Sequence, residues 1–187
     1  MSEAVRLIQS RRFGDDRGWF METCSPAILA SAAIDVSFVQ DNHSYSRPAG
    51  TIRGIHFQRP PHAQAKLVRC LHGRIMDFAV DLRRGSPTYG GHIGVELSAD
   101  NGLQLFLPVG FGHAFVTLEP DVEVAYKVSD IYAPDCDGGL VWDDPMIAIN
   151  WPLPPEGPTL SAKDTQLPRL ADFDSPFVYD GAPLVGL

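Results

Sequence analysis

KLVRCLHGRIMDFAVDL, residues 66–82, decides the fold of this chain. Two largely apolar runs, Lys66–Leu71 and Arg74–Leu82, flank His72-Gly73. A tight turn between such runs is the signal of a β-hairpin. The pattern recurs downstream. His92–Leu97 and Leu103–Leu107 flank Ala99-Asp100-Asn101-Gly102, and Ala114–Leu118 and Val122–Val128 flank Glu119-Pro120-Asp121. Short antiparallel strands at this spacing predict an all-β sandwich or barrel. Period-two alternation puts Lys66, Val68 and Cys70 on one face of the first strand. A lysine among apolar neighbours is costly unless it has a partner or a task. The alternative is a surface lysine opening an edge strand.

Just upstream, GTIRGIHFQRPPHAQAK (50–66) carries Arg53 and His56 amid Ile52, Ile55 and Phe57, and then a Pro60-Pro61 break. Further upstream, residues 13–22, FGDDRGWFME, read as a turn at Gly14-Asp15-Asp16 and a short strand through Trp19 and Phe20. Ser25-Pro26 opens a short helix from Ala27 to Ala33, with serine as N-cap and proline at the first helical position. Val36–Gln40 reads as a strand, followed by the polar segment DNHSYSRPAG. Beyond Ala133-Pro134, prolines at 145, 152, 154, 155 and 158 forbid central strands, so the tail is expected to wrap the barrel. Ser161-Ala162-Lys163-Asp164 fits an N-cap signature. The sequence marks no domain boundary. The chain reads as one domain over 1–187, with an N-terminal segment (1–35), a β-barrel core (36–132) and a wrapping tail (133–187).

The 187 residues suffice for one real core. The formal charge of −8 argues against a nucleic-acid or anionic-membrane surface but leaves room for a local basic pocket. Cys24, Cys70 and Cys136 form no CxxC pair and suggest neither a zinc knuckle nor a disulfide framework. MSEAVRLIQSRR lacks the apolar core of a signal peptide, and no apolar run approaches a membrane span. A soluble cytoplasmic protein is expected.

Pro108-Val109-Gly110-Phe111-Gly112-His113 matches the P-x-G-x-x-H hairpin of the cupin superfamily, and Gly50 six residues before His56 resembles the start of the first cupin motif. The expected fold is therefore a cupin-type double-stranded β-helix, a jelly roll with a few short helices. Metal cupins use His-x-His with a nearby glutamate. Here Gln58 stands for the second histidine, and Arg59-Pro60-Pro61-His62 follows instead of a carboxylate. Two histidines without a third nitrogen or carboxylate make a poor first-row metal site, so no metal is expected. A pocket without metal works with protons. A histidine takes one near neutral pH, a tyrosine returns one, and a lysine stabilises the oxyanion between them. His56, Tyr126 and Lys66 supply these groups. The plainer readings are a hydrogen-bonded interior histidine and a core-lining strand tyrosine.

From Phe13 to about Leu170 the chain resembles the nucleotide-sugar 3,5-epimerases, typified by dTDP-4-dehydrorhamnose 3,5-epimerase. DDRGWFME (15–22), FVQDNHSYS (38–46), RGIHFQRPPHAQAKLVR (53–69), GVELSADNGLQLFLPVGFGHAF (94–115), YKVSDIYAP (126–134) and LSAKD (160–164) are among eight matching segments in order. The resemblance implies a substrate, a dTDP-4-keto-6-deoxyhexose, and no cofactor. It makes His56 the general base with Asp164 orienting it, Tyr126 the general acid, and Lys66 the neighbour of the sugar ketone. Asp164 also reads as a helix cap. By the same resemblance Arg53 and His113 line the sugar and phosphate region. Arg17, Glu22, Gln40, Asn42 and Lys163 contact the nucleotide and diphosphate, and Tyr132 stacks on the pyrimidine. Arg17 and Glu22 would sit on a segment reaching a neighbouring subunit's site, which implies a homodimer. Asp137 stands where the family usually has a glutamate that contacts the nucleotide. Two other readings stay open: an epimerase acting at C3 or C5 alone, and a metal-dependent or sugar-binding cupin.

Overall fold

The computed structural model describes residues 4–185. β1 (Arg6–Gln9) leads into a hairpin of β2 (Arg12–Asp15) and β3 (Gly18–Met21), which reverses at Asp16-Arg17. The helix α1 covers Pro26–Ser31, and the Ser25 hydroxyl accepts the Ile28 N–H at 3.3 Å. Then follow β4 (Gln40–Ser46), β5 (Ile52–Gln58), β6 (Lys66–His72), β7 (Arg74–Asp81), β8 (His92–Ser98), β9 (Leu103–Leu107), β10 (Phe111–Thr117), β11 (Val122–Val128) and the short β12 (Asp137–Gly139). Three 3₁₀ turns punctuate the tail at Pro134–Cys136, Asp164–Gln166 and Leu170–Asp172. No helix among the described residues is long and apolar enough to cross a membrane.

Two five-stranded antiparallel sheets face each other, in the orders β1-β9-β6-β11-β4 and β12-β5-β10-β7-β8. This is the expected jelly roll, but the three predicted hairpins are not pairs. β6 and β7, β8 and β9, and β10 and β11 each lie in opposite sheets. The turn signals were right about where the chain reverses. They carry no information on whether the flanking strands hydrogen-bond to each other. Gly73 shows what such a corner needs. Its φ is +76°, and a Cβ there would lie 2.8 Å from Val122 Cγ2, so the corner folds tightly over the start of β11.

A second expectation also fails. Val36–Phe38 is not strand, and the polar run 40–46 is. β4 is an edge strand, so its Asp41, His43 and Tyr45 side faces outward, while Gln40, Asn42 and Ser44 line an open cleft rather than the core. Both faces are wet, and apolar alternation has nothing to report.

Apolar side chains form three layers. Val68, Cys70, Ile75, Leu105, Phe115 and Val124 belong to the cluster between the sheets. The second cluster lies on β5, β7 and β10 and is covered by tail residues Leu140, Ile147, Leu170, Phe173 and Phe177. In the third, Ile28 and Leu29 of α1 pack against buried Ile8, Leu67 and Phe106. The tail has little sheet pairing and is held by local acceptors. The buried Asp144 carboxylate accepts the N–H groups of Met146, Ile147 and Leu170 at 2.7–3.1 Å.

Candidate active site

Alternation alone would put Arg53 and His56, three residues apart on β5, on opposite faces. The structure brings both to one cleft because β5 carries an extra residue against β10. His113 pairs with His56 and Phe115 with Arg53, so three steps on β5 oppose two on β10. Gly54 sits inside this irregularity with φ +132°. A Cβ there would lie 2.6 Å from Ala114 Cα, so the two backbones approach as closely as only glycine permits.

The cleft has two lobes, of about 340 and 280 Å³, which share His56, Lys66, Tyr126 and Lys163 in their walls. His56 comes from one sheet, and Tyr126 and Lys66 from the other. Arg53, His113 and Asp164 line the first lobe. Gln40, Asn42, Tyr132 and Asp137 line the second. Three cations (Arg53, Lys66 and Lys163) therefore face one cleft in a protein of net charge −8, an arrangement suited to an anionic ligand. Neither lobe includes Arg17 or Glu22. Arg17 lies on the β2–β3 hairpin, paired among the described residues only with Asp15 at 2.5 Å and with its side chain 89% exposed.

His56 Nε2 hydrogen-bonds to Asp164 Oδ1 at 2.6 Å. The tail makes this contact possible. Thr159 bridges to Thr51 in parallel, with Ile52 N–H donating to Thr159 O at 3.0 Å, which lays residues 159–164 beside β5. The Ser161 hydroxyl accepts the Asp164 N–H at 3.1 Å, so Ser161 supports the turn as its signature predicts. Burial pushes the Asp164 carboxyl up, but hydrogen bonds and charge from His56, with Ser161 and Lys163 adding, outweigh it and leave the group below its ordinary value.

Lys66 is buried, 9% exposed, and its Nζ donates to the His56 carbonyl at 3.4 Å. Burial lowers its pKa to about 8, against the opposing pull of Asp137 and Asp77. Tyr126 packs beside His113 with ring centroids 6.4 Å apart. Burial raises its phenol, Arg53 pulls it back, and Asp137 adds to the rise.

Asp77, which the sequence reading passed over, lies behind His113. It is fully buried and sits 2.8 Å from His113 Nε2 through Oδ1, while Oδ2 has no hydrogen-bond partner among the described residues. Burial pushes the Asp77 carboxyl up and the His113 imidazole down, so the charged form of each is disfavoured. The signal was present: an aspartate inside the apolar run Ile75–Val80, which alternation turns inward with Ile75 and Ala79.

In the second lobe Asp137 gathers its neighbours. Its carboxylate forms a close ion pair with Lys163 and accepts the Tyr132 hydroxyl at 3.4 Å. That hydrogen bond with Asp137 raises the Lys163 ammonium. Gln40 donates to Asn42 at 2.8 Å and accepts the Tyr132 N–H at 3.0 Å. Among the described residues no group of three or more His, Cys, Asp or Glu is placed to hold a metal ion.

A family model described as dTDP-4-dehydrorhamnose 3,5-epimerase matches residues 2–172. The enzyme of that name from Sinorhizobium fredii is 49% identical over 175 residues, covering 94% of this chain and 89% of its own length. The solved structure of the Bacillus anthracis enzyme with TDP and PPi bound has a TM-score of 0.85 at 49% identity, covering 88% of this chain and 93% of its own. The Legionella pneumophila dTDP-6-deoxy-D-glucose-3,5-epimerase, in complex with dTDP-4-keto-L-rhamnose, has a TM-score of 0.89 at 38% identity, covering 95% and 94%.

Proposed function

The chain belongs to the dTDP-4-dehydrorhamnose 3,5-epimerase family and is an isomerase of that kind, and we propose that its cleft works by proton abstraction and return across the sugar ring. The substrate is dTDP-4-dehydro-6-deoxy-D-glucose and the product dTDP-4-dehydro-L-rhamnose. The ketone at C4 acidifies the hydrogens on C3 and C5. His56 takes one of these protons, and the carbon's electron pair moves into an enolate. Lys66 stabilises the enolate oxygen. Tyr126 delivers a proton to the opposite face of the same carbon and is left as phenolate. Exchange with solvent returns a proton to Tyr126 and removes one from His56, so each inversion balances and uses no oxidant. Asp164 fixes the orientation of the His56 ring. Positioned acids and bases contribute about a hundred- to ten-thousandfold each, and an oxyanion donor about a hundred- to a thousandfold.

One observation carries this reading. A histidine oriented by a buried carboxylate at 2.6 Å and a partly buried tyrosine stand on facing sheets of one cationic cleft. Arg53 and His113 complete the sugar lobe. Gln40, Asn42, Tyr132, Asp137 and Lys163 hold the nucleotide and diphosphate. Arg17 and Glu22 serve a neighbouring subunit's site in a homodimer. The protruding hairpin supports that assignment: Trp19 and Phe20 are 59% and 69% exposed within one chain. The test is incubation with dTDP-4-dehydro-6-deoxy-D-glucose in deuterated buffer. NMR of the product should show inversion and one deuterium at both C3 and C5. Label and inversion at one carbon alone would refute the double epimerisation.

A further inference from the structure

Tyr132 has an unusual support. Its residue is 55% exposed, and its hydroxyl makes a single 3.4 Å contact, so the ring's position is set by its backbone. That backbone lies in an irregular stretch with no strand neighbour. Glutamine side chains take the place of a sheet partner. Gln58 Oε1 accepts the Ala133 N–H at 2.8 Å, while its Nε2 donates to Ile131 O at 3.1 Å and to His62 O at 2.6 Å. Gln64 Nε2 donates to Asp130 O at 2.8 Å and Ile131 O at 3.2 Å. Gln58 is 4% exposed and sits on β5 two residues after His56, so it ties the Tyr132 loop to the strand that carries the base.

We infer that Gln58, assisted by Gln64, is a positioning residue for Tyr132, holding the ring where a pyrimidine nucleoside diphosphate stacks. The inference rests on the assignment of Tyr132 as the stacking residue. An amide suits the task because it offers an acceptor and two donors at once, matching one N–H and two carbonyls of the loop and turn. Stripping that amide leaves the Ala133 N–H and the His62 carbonyl unpaired, leaves Ile131 O to Gln64 alone, and frees the loop to shift. Base stacking is geometric, so the ring contributes only where it is held parallel to the base.

The experiment compares dTDP with inorganic pyrophosphate, which carries the charge without the base, by calorimetry on the full-length protein. The variants are Tyr132→Ala, Gln58→Met, Gln64→Met and the double variant Gln58→Met/Tyr132→Ala. Tyr132→Ala should weaken dTDP binding by roughly fivefold to a hundredfold, and Gln58→Met by about fivefold or more. Gln64→Met should weaken dTDP binding in the same direction. Pyrophosphate affinity should stay within about twofold throughout, and Gln58→Met should add nothing to Tyr132→Ala. Unchanged dTDP affinity in Tyr132→Ala would sink the stacking assignment and this inference with it. Weak dTDP binding in Tyr132→Ala with normal binding in both glutamine variants would overturn the positioning role alone. An equal loss of pyrophosphate affinity, or a loss that adds to that of Tyr132→Ala, would also overturn it. Should Gln58→Met fail to fold, the half-exposed Gln64→Met decides between these results.

Discussion

Asp164 reaches across 108 residues of chain to place Oδ1 2.6 Å from Nε2 of His56, and a parallel bridge between Thr51 and Thr159 lays that part of the tail beside β5. Two stretches that the sequence keeps far apart are thereby joined into one hydrogen-bonded pair, the proposed base and its orienting carboxylate. A carboxylate in this position fixes which way the imidazole faces and which nitrogen stays free for the substrate.

Asp164→Asn keeps the shape and removes the charge. The variant should fold and lose about a hundred- to ten-thousandfold in kcat, the contribution of a correctly poised base. Stability carries its own signature. The folded value of Asp164 lies below its ordinary 3.8. Its contribution is therefore present above that pH and lost as the pH falls through the depressed value. Urea melts of wild type and variant should differ at neutral pH, and the gap should close only below about pH 4. Equal kcat in the two proteins would show that His56 needs no orienting carboxylate.

Lys66 should set an alkaline limit. Its pKa is held at about 8 by burial. The oxyanion role needs the ammonium, so kcat/KM should fall as pH rises through about 8. The sign for stability is the reverse. The folded value is depressed from 10.5, so the buried charge costs stability below about pH 8, and that cost fades as pH climbs toward 10.5. Lys66→Gln should be slower by about a hundred- to a thousandfold, and its residual rate should show no fall near pH 8. A wild-type profile flat to pH 10 would remove Lys66 from this role.

Much of this was readable from the chain, for identifiable reasons. Alternating apolar runs and turn residues gave the strands from Lys66 onward, because buried faces write period two into a sequence. Ser25-Pro26 gave the start of α1, because capping is local. Pairing was not readable, since Gly73 and Gly102 report a reversal and not a partner. Nor was β4, whose two faces meet solvent and cleft. Arg53 and His56 were expected in one pocket, but the way they meet rests on an extra residue in β5 that only the register with β10 reveals. Asp77 was passed over although its position in an apolar run marks it. Gln58 was read only as a missing metal ligand, while the loop it holds lies 73 residues away.

Arg17 should act in trans. Its side chain lies on the hairpin and outside both lobes of its own cleft. Arg17→Ala and His56→Ala subunits should each be nearly inactive alone. Mixed under conditions of subunit exchange, they should regain up to about a quarter of wild-type activity per site, because half the dimers are mixed and each of these holds one intact site. Mixtures that demonstrably exchange and stay inactive would show that each chain completes its own site.

The division of labour between His56 and Tyr126 is the centre of the account, and solvent exchange at C3 and C5 tests it most directly. Folded His56→Ala and Tyr126→Phe proteins are incubated with dTDP-4-dehydro-6-deoxy-D-glucose in deuterated buffer, and the sugar ring is followed by NMR. Without the base no enolate forms, so His56→Ala should give neither deuterium nor inversion. Without the phenol the enolate still forms but is reprotonated from the His56 side. Tyr126→Phe should therefore take up deuterium with retained configuration and lose most inversion. A His56→Ala protein that exchanges C3 and C5 at the wild-type rate, or a Tyr126→Phe protein that inverts both carbons at full speed, would contradict the account.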